Sequence, residues 1–317
     1  MKISVALCTY NGENFLREQI NSIINQSVSV NEIVVCDDCS SDTTPTILEE
    51  YNQKYPQLFK IFINEINLRS SKNFEKAISL TTGDYIFLAD QDDIWRNDKV
   101  EKTIEVFSKN SSAEGVFSNA NFINEDSKPI FNEISLWESV CFFHESIKQP
   151  SDLRKSLIQI SNFLTGATLC IKKEVKKFGI PFLITESFIH DEWLAYILTQ
   201  RNTLFFSTEN LISYRLHENQ QLGVRKIKNP KKRLIKNKRL NSLLLDNIKF
   251  KTFKELKYIA KVNNYQLEKY RSLHFQYKKN EFLEVKEKLI TRYLEIDSKM
   301  KRANPIFYFL EKILRKK

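Results

Sequence analysis

The chain has 317 residues but only six glycines, and none lies beyond Gly223. The part after Gly223 therefore reads as helices joined without glycine turns, unlike the part before it. No stretch approaches the roughly 18 uninterrupted apolar residues of a membrane span. The apolar run from Ile3 to Cys8, broken by Ser4, is too short for a secretory signal core, so the chain is expected to stay in the cytoplasm. Cysteines are scarce and odd in number, five in all. Cys36 and Cys39 form a single C-x-x-C with no second pair to complete a zinc site, and all five are expected as reduced thiols. Two glycine-rich phosphate motifs are also missing. Neither G-x-G-x-x-G nor G-x-x-x-x-G-K-[ST] follows the first apolar segment, whose loop holds only Gly12, and this excludes the dinucleotide and P-loop folds. With 42% hydrophobic and 28% charged residues, the chain as a whole is neither disordered, collagenous nor a coiled coil.

The charge is unevenly distributed. Residues 1–224 hold 21 Lys/Arg and 30 Asp/Glu, a balance of −9, and residues 225–317 hold 28 and 9, a balance of +19. The run Arg225 to Arg239 has nine Lys/Arg in fifteen residues and no acid, which suits either a solvated helical surface or contact with an anionic partner.

Within the acidic part, Lys2 to Cys8 is a nearly continuous apolar run, as in a strand buried on both faces of a parallel sheet. Phe15, Leu16, Ile20, Ile23 and Ile24 follow at helical spacing, and Glu32 to Cys36 reads as a second strand. The pattern repeats. A helix from Ile47 to Tyr55 opens near Pro45, a strand covers Phe59 to Ile63, a helix covers Asn73 to Leu80, and Tyr85 to Ala89 forms a fourth strand. Such alternation predicts an α/β fold with a mostly parallel open sheet and helices on both faces. Ligands bind beyond the carboxyl ends of such strands. Three of those ends are polar: Thr9-Tyr10-Asn11, Asp37-Asp38 and Asp90-Gln91-Asp92-Asp93. Without a glycine cradle, a nucleoside diphosphate needs another counter-charge, and a divalent cation on these carboxylates supplies it.

Three segments together, SVALCTYNGENFLREQINSIINQS, EIVVCDDCSSDTT and TGDYIFLADQDDIW, resemble the inverting glycosyltransferases of family 2, which have the GT-A fold. The long form ADQDDIW resembles the rhamnosyltransferase-like or hexosyltransferase branch of bacterial surface polysaccharide synthesis (capsule, O-antigen or cell wall). The resemblance covers about residues 1–220 and implies a GT-A catalytic domain over 1–224, binding nucleotide-sugar in about 1–120 and acceptor in about 121–224. A basic helical region, 225–317, follows.

The same resemblance implies roles by position. Thr9, Tyr10 and Asn11 match the loop that holds base and ribose, and Asp38 with Asp37 matches the carboxylate that accepts from a pyrimidine N–H, implying a UDP- or dTDP-sugar donor. Helix capping is the competing role for Asp37 and Asp38. Asp92 matches the ligand of Mn²⁺ or Mg²⁺, Asp90 the ribose and metal shell, and Asp93 a support of the loop. In FIHDEWLAYIL, Asp191 matches the catalytic base, with Glu192 as the competing base and an N-cap as the structural alternative. NFLTGAT matches the segment lining the donor sugar and acceptor mouth, Gly166 allowing close approach. In ISYRLHENQ, His217 completes the metal or diphosphate shell and Arg215 pairs with phosphate. Cys39 stands where many relatives carry glycine.

The expected acceptor is a glycan or lipid-linked oligosaccharide. The basic region is expected to meet an anionic membrane surface on the inner face of the cytoplasmic membrane, with a homodimer through apolar stripes as the competing use. These stripes comprise Leu240, Leu243, Leu244 and Ile248, then Ile306, Phe307, Phe309 and Leu310. A sugar-1-phosphate nucleotidyltransferase would need a glycine-rich start that is missing here. Nucleic acid is not expected as a partner, because the tail aromatics Phe250, Phe253, Tyr258, Tyr265 and Tyr270 recur at helical rather than stacking-platform spacing.

Overall fold

A computed structural model describes residues 1–218, 220, 223–224, 227–245, 252–305 and 308, with the side chains of 243–245 outside it. Of the apolar stripe residues in the basic region, Leu243, Leu244, Ile248, Ile306, Phe307, Phe309 and Leu310, and Phe250 among the tail aromatics, lie outside the described side chains. Leu240 is buried.

The four strands read from the sequence are present and mutually parallel: β1 (Ile3–Thr9), β2 (Glu32–Asp37), β3 (Phe59–Ile63) and β4 (Tyr85–Asp90). They stand in the order β3-β2-β1-β4, so the order reverses beside β1, and a crevice opens beyond the ends of β1 and β4. Beyond β4 the sheet is mixed. Strands β5 (Ile94–Trp95), β6 (Gly115–Ile123), β7 (Pro129–Ile130), β8 (Leu169–Lys172) and β9 (Leu204–Arg215) extend it as β4-β8-β6-β9-β5, with β7 on β6. Strand β8 is antiparallel to both neighbours, whereas β6 and β9 are parallel.

The helices are α1 (Leu16–Ile24), α2 (Thr44–Lys54), α3 (Arg69–Leu80), α4 (Lys99–Lys109), α5 (Leu136–Ser139), α6 (Pro150–Gln159), α7 (Lys176–Gly179), α8 (His190–Gln200), α9 (Pro230–Leu245), α10 (Phe253–Tyr277) and α11 (Asn280–Ala303). Alternation along β1 shows why its apolar run is continuous. Val5 and Leu7 join the core under α1, α2 and α4, while Ala6 and Cys8 join the core under α3 and α8.

The basic helices share this second core. Leu267, Tyr270 and Leu273 of α10 and Phe282, Val285 and Leu289 of α11 are buried together with Trp193 and Tyr196 of α8. Helix α9 is fastened to the C-terminal end of α5, where Asn237 donates through Nδ2 to the carbonyls of Glu138 (2.7 Å) and Ser139 (3.1 Å). Among the described residues no helix is long and apolar enough to cross a membrane.

Candidate active site

A cleft of ≈ 660 Å³ opens at the crevice. One wall is made by the ends of β1, β2 and β4. Thr9 is buried and its hydroxyl donates to Asp37 Oδ1 (2.8 Å). Asp37 also accepts from the Ser40 amide (2.9 Å) and hydroxyl (2.6 Å), is fully buried, and does not line the cleft. The geometry therefore corrects its expected role: it shapes the loop rather than touching a ligand. Asp38 does line the cleft, held by Asn64 Nδ2 (2.8 Å) and the Leu68 amide (2.7 Å) on its Oδ1. Tyr10 and Asn11 line it too. Gln91 clamps Tyr10, accepting from its amide (2.7 Å) and donating to its carbonyl (3.0 Å). A Cβ on Gly12 would fall 2.3 Å from Gln91 Oε1, so the loop needs glycine there for close approach.

Asp92 and His217 meet in the cleft, Oδ2 to Nε2 at 2.8 Å, with the imidazole packed on Phe15 at 4.9 Å between ring centroids. Among the described residues no three His, Cys, Asp or Glu side chains converge as a self-sufficient metal site, so Asp90 does not complete a triad with this pair. The pair nevertheless fits a divalent cation bound with a nucleoside diphosphate, because such ions take one or two protein ligands and fill the rest of the shell with phosphate oxygens and water. Asp90 also lines the cleft, and burial, then the charges of Asp92 and Asp191, push its pKa up to about 8.

Asp93 supports the loop as expected. It is buried, accepts from the Arg215 amide (3.0 Å), and leaves its Oδ2 without a partner. Arg215 departs from expectation because its side chain is fully enclosed and points away from the cleft. Its guanidinium donates to the carbonyls of Asp92 (2.7 Å), Asn124 and Glu125 (both 3.1 Å), to Ser127 Oγ (2.9 Å) and to Glu18 (2.5 Å). With its donors engaged by protein, it braces the Asp92 loop instead of gripping phosphate.

Two contributors escaped the sequence reading. Lys99 is buried under the acidic loop, donates to the Ala167 carbonyl (2.8 Å) and lies 3.6 Å from the Trp95 ring centroid. Burial pulls its pKa down to about 7, against the opposing pull of Asp93 and Asp90. Its i, i+4, i+8 spacing with the buried Thr103 and Phe107 was the available signal that it faces inward. Gln91 was the other, hidden inside a string of aspartates.

A second wall carries Asp191 in the first turn of α8. Asp191 Oδ1 accepts from Asn162 Nδ2 (3.0 Å) and the Glu192 amide (2.6 Å). Burial, then the neighbouring Glu192 charge, raise its pKa to about 7. Glu192 is absent from the cleft. It points into the interior, where both its oxygens accept from Lys269 Nζ of α10 at 2.8 and 2.7 Å. The two neighbouring carboxylates thus take opposite directions. Gly166 permits the approach of its turn to this wall, since a Cβ there would sit 3.0 Å from His190 Nε2. His190 stacks on Phe74 at 4.5 Å, and burial lowers its pKa to about 3, leaving a neutral ring beside Asp191.

The mixed sheet with its cleft at the strand ends is the GT-A fold. The model for "Glycosyl transferase family 2" matches residues 4–173. The chain is 31% identical over 233 residues, 68% of its length and 73% of that protein's, to the dTDP-rhamnosyl transferase RfbG of Shigella flexneri. It is 29% identical over 140 residues, 44% of this chain and 55% of that protein, to TuaG of Bacillus subtilis, whose name places it in teichuronic acid biosynthesis. Among solved structures, S. aureus TarS in complex with UDP-GlcNAc is similar with a TM-score of 0.53 and 17% identity, over 94% of this chain and 83% of that one. A mannosyltransferase from Pyrobaculum calidifontis with GDP-Man and Mn²⁺ gives 0.52 and 15%, over 92% and 87%. The chain belongs to glycosyltransferase family 2 and is a glycosyltransferase.

Proposed function

We propose that the enzyme transfers a hexosyl or deoxyhexosyl group, with inversion, from a pyrimidine nucleoside diphosphate to a hydroxyl of a glycan acceptor, lipid-linked, in bacterial surface polysaccharide synthesis. The observation that carries the reading is the cleft itself. It brings Asp191, a carboxylate of raised proton affinity, into one cleft with Asp38 and Asp92 of the strand ends. Inversion by single displacement needs a base on the face opposite the leaving nucleotide, and a base poised near neutral pH both holds and releases a proton there. Asp191 takes the proton from the acceptor hydroxyl as its oxygen attacks the anomeric carbon. Asn162 holds the carboxylate in place, and the Glu192 amide stabilises its charged form. Asp38 accepts from the base of the donor, and Thr9, Tyr10 and Asn11 shape that pocket. Asp92 and His217 would hold Mn²⁺ or Mg²⁺, which when bound offsets the charge of the departing diphosphate. Glu192 is not the base, because its carboxylate is committed to Lys269.

RfbG is named for a dTDP-rhamnosyl donor and TarS was solved with UDP-GlcNAc, and both nucleotides are pyrimidines. A saturation-transfer NMR screen in Mg²⁺ tests the donor class with UDP-glucose, UDP-galactose, their N-acetyl forms, dTDP-rhamnose and GDP-mannose. Signal from a pyrimidine donor and none from GDP-mannose is expected. The reverse pattern would overturn the assignment of Asp38.

A further inference from the structure

The basic region reaches the cleft at one described point, Arg233 of α9. Cys8 to Val224 supply the rest of the lining, including the carboxylates Asp38, Asp90, Asp92 and Asp191, and among the described lining residues Arg233 is the only Lys or Arg. Its Nε donates to the Ser139 carbonyl (3.0 Å), which orients the planar group. Among the described residues the two terminal amino groups have no hydrogen-bond partner. Two other cations withdrawn from water have a carboxylate partner: Lys269 has Glu192, and Arg215 has Glu18 together with a ring of carbonyls. Arg233 is half-buried without such a carboxylate. Burial lowers its pKa.

Its place within the cleft is also defined. Ser139 precedes Val140, which lines the cleft and whose carbonyl accepts from Ser161 Oγ (3.1 Å); the next residue, Asn162, holds Asp191. Arg233 thus belongs to the wall of the base. An oriented guanidinium with two free amino groups matches a phosphoryl group bidentately, and a neutral sugar hydroxyl would gain less from it.

We propose that Arg233 forms a phosphate subsite in the cleft, through which the basic region takes part in substrate binding. This rests on the nucleotide-sugar reading of the same cleft. Two molecules there carry phosphate: the donor diphosphate and an acceptor built on a phosphorylated carrier.

Isothermal titration of the full chain separates them with two probes. The first is UDP with Mn²⁺. The second is inorganic pyrophosphate, added to protein already saturated with UDP and Mn²⁺ and, separately, to protein alone. Arg233→Gln is expected to weaken one probe by about tenfold or more, the worth of a charge-assisted hydrogen bond. Arg233→Lys, which keeps the charge but loses the fork, is expected to fall between. Weaker UDP assigns the fork to the donor. Unchanged UDP with weaker pyrophosphate on the saturated protein assigns it to the acceptor. Wild-type affinity for both probes in both variants, at an unchanged melting temperature, overturns the subsite. Wild-type protein that binds no UDP would instead sink the donor reading, and pyrophosphate titrated alone would still report on Arg233.

Discussion

The strand-end wall of the cleft and its helical wall are held in different ways. On the strand-end wall, side chains are fixed by neighbouring backbone: Asp38 by the Leu68 amide, Asp37 by the Ser40 amide, and Gln91 by both polar groups of Tyr10. On the helical wall, α8 is anchored by an ion pair to a lysine 77 residues away, inside a core shared with α10 and α11. The first wall is thus largely complete within the α/β domain, whereas the second needs the basic region to be folded against it. The basic helices are not a removable appendage, because truncation after Gly223 would uncover Glu192 and the apolar face of α8.

The helical wall carries the largest expected effect. Asp191→Asn keeps the shape and removes the proton acceptor, so kcat should fall by about 10²- to 10⁴-fold while UDP affinity stays unchanged. Glu192→Gln should not reproduce this fall, and a variant that did would reassign the base. The pH profile adds a check. A base with its pKa near about 7 must be deprotonated to act, so kcat/KM should rise as pH increases through that region.

The anchoring of α8 gives the next effect. Lys269→Met leaves Glu192 as an unpaired interior charge and should cost about 3–5 kcal/mol of stability, measured by denaturant titration. Replacing both partners with methionine or leucine should recover most of that loss. If Lys269→Met proves neutral, α8 is held by packing alone and the contrast between the walls disappears.

On the strand-end wall, Asp92→Ala removes the carboxylate proposed to hold the metal from a partly exposed loop without opening the core. Metal-dependent UDP binding should weaken by at least about tenfold, with little change in melting temperature. Unchanged affinity in Mn²⁺ would remove Asp92 from the metal site.

The same contrast explains what could be read from the sequence. The parallel strands β1 to β4 and their polar ends were legible because two-sided burial writes a continuous apolar run and the ends break it abruptly. Asp92, His217, Asp38 and Asp191 line the cleft. Asp37 and Arg215 carry the same motif signal but turn inward, and only the partners they meet reveal it: Ser40 for one, and the Asn124 and Glu125 carbonyls for the other. Lys269 and Arg233 were not legible at all. Each is one basic residue in a region rich in them, and what distinguishes it is a contact with residues far away in the chain.

The smallest effect concerns Cys39, in the loop after β2. Its φ is +67°, in the left-handed region, and its side chain is exposed and free. A non-glycine residue there costs roughly 1–2 kcal/mol, and glycine avoids that cost. Glycine also loosens the unfolded chain, which returns about 0.4–1 kcal/mol. The balance favours Cys39→Gly by about 0.5 kcal/mol, a rise of about 1–2 °C in melting temperature for a chain of this size. Asn11, at φ +48° in the facing loop, supplies the control. Asparagine tolerates this region, and Asn11 Oδ1 accepts from the Ser41 amide (2.9 Å), so Asn11→Gly should destabilise. Melting curves of the two variants should therefore move in opposite directions. If both rise, backbone strain outweighs hydrogen bonding in these loops. If Cys39→Gly falls, the strain is already relieved by the surrounding Asp37–Ser40 bonds.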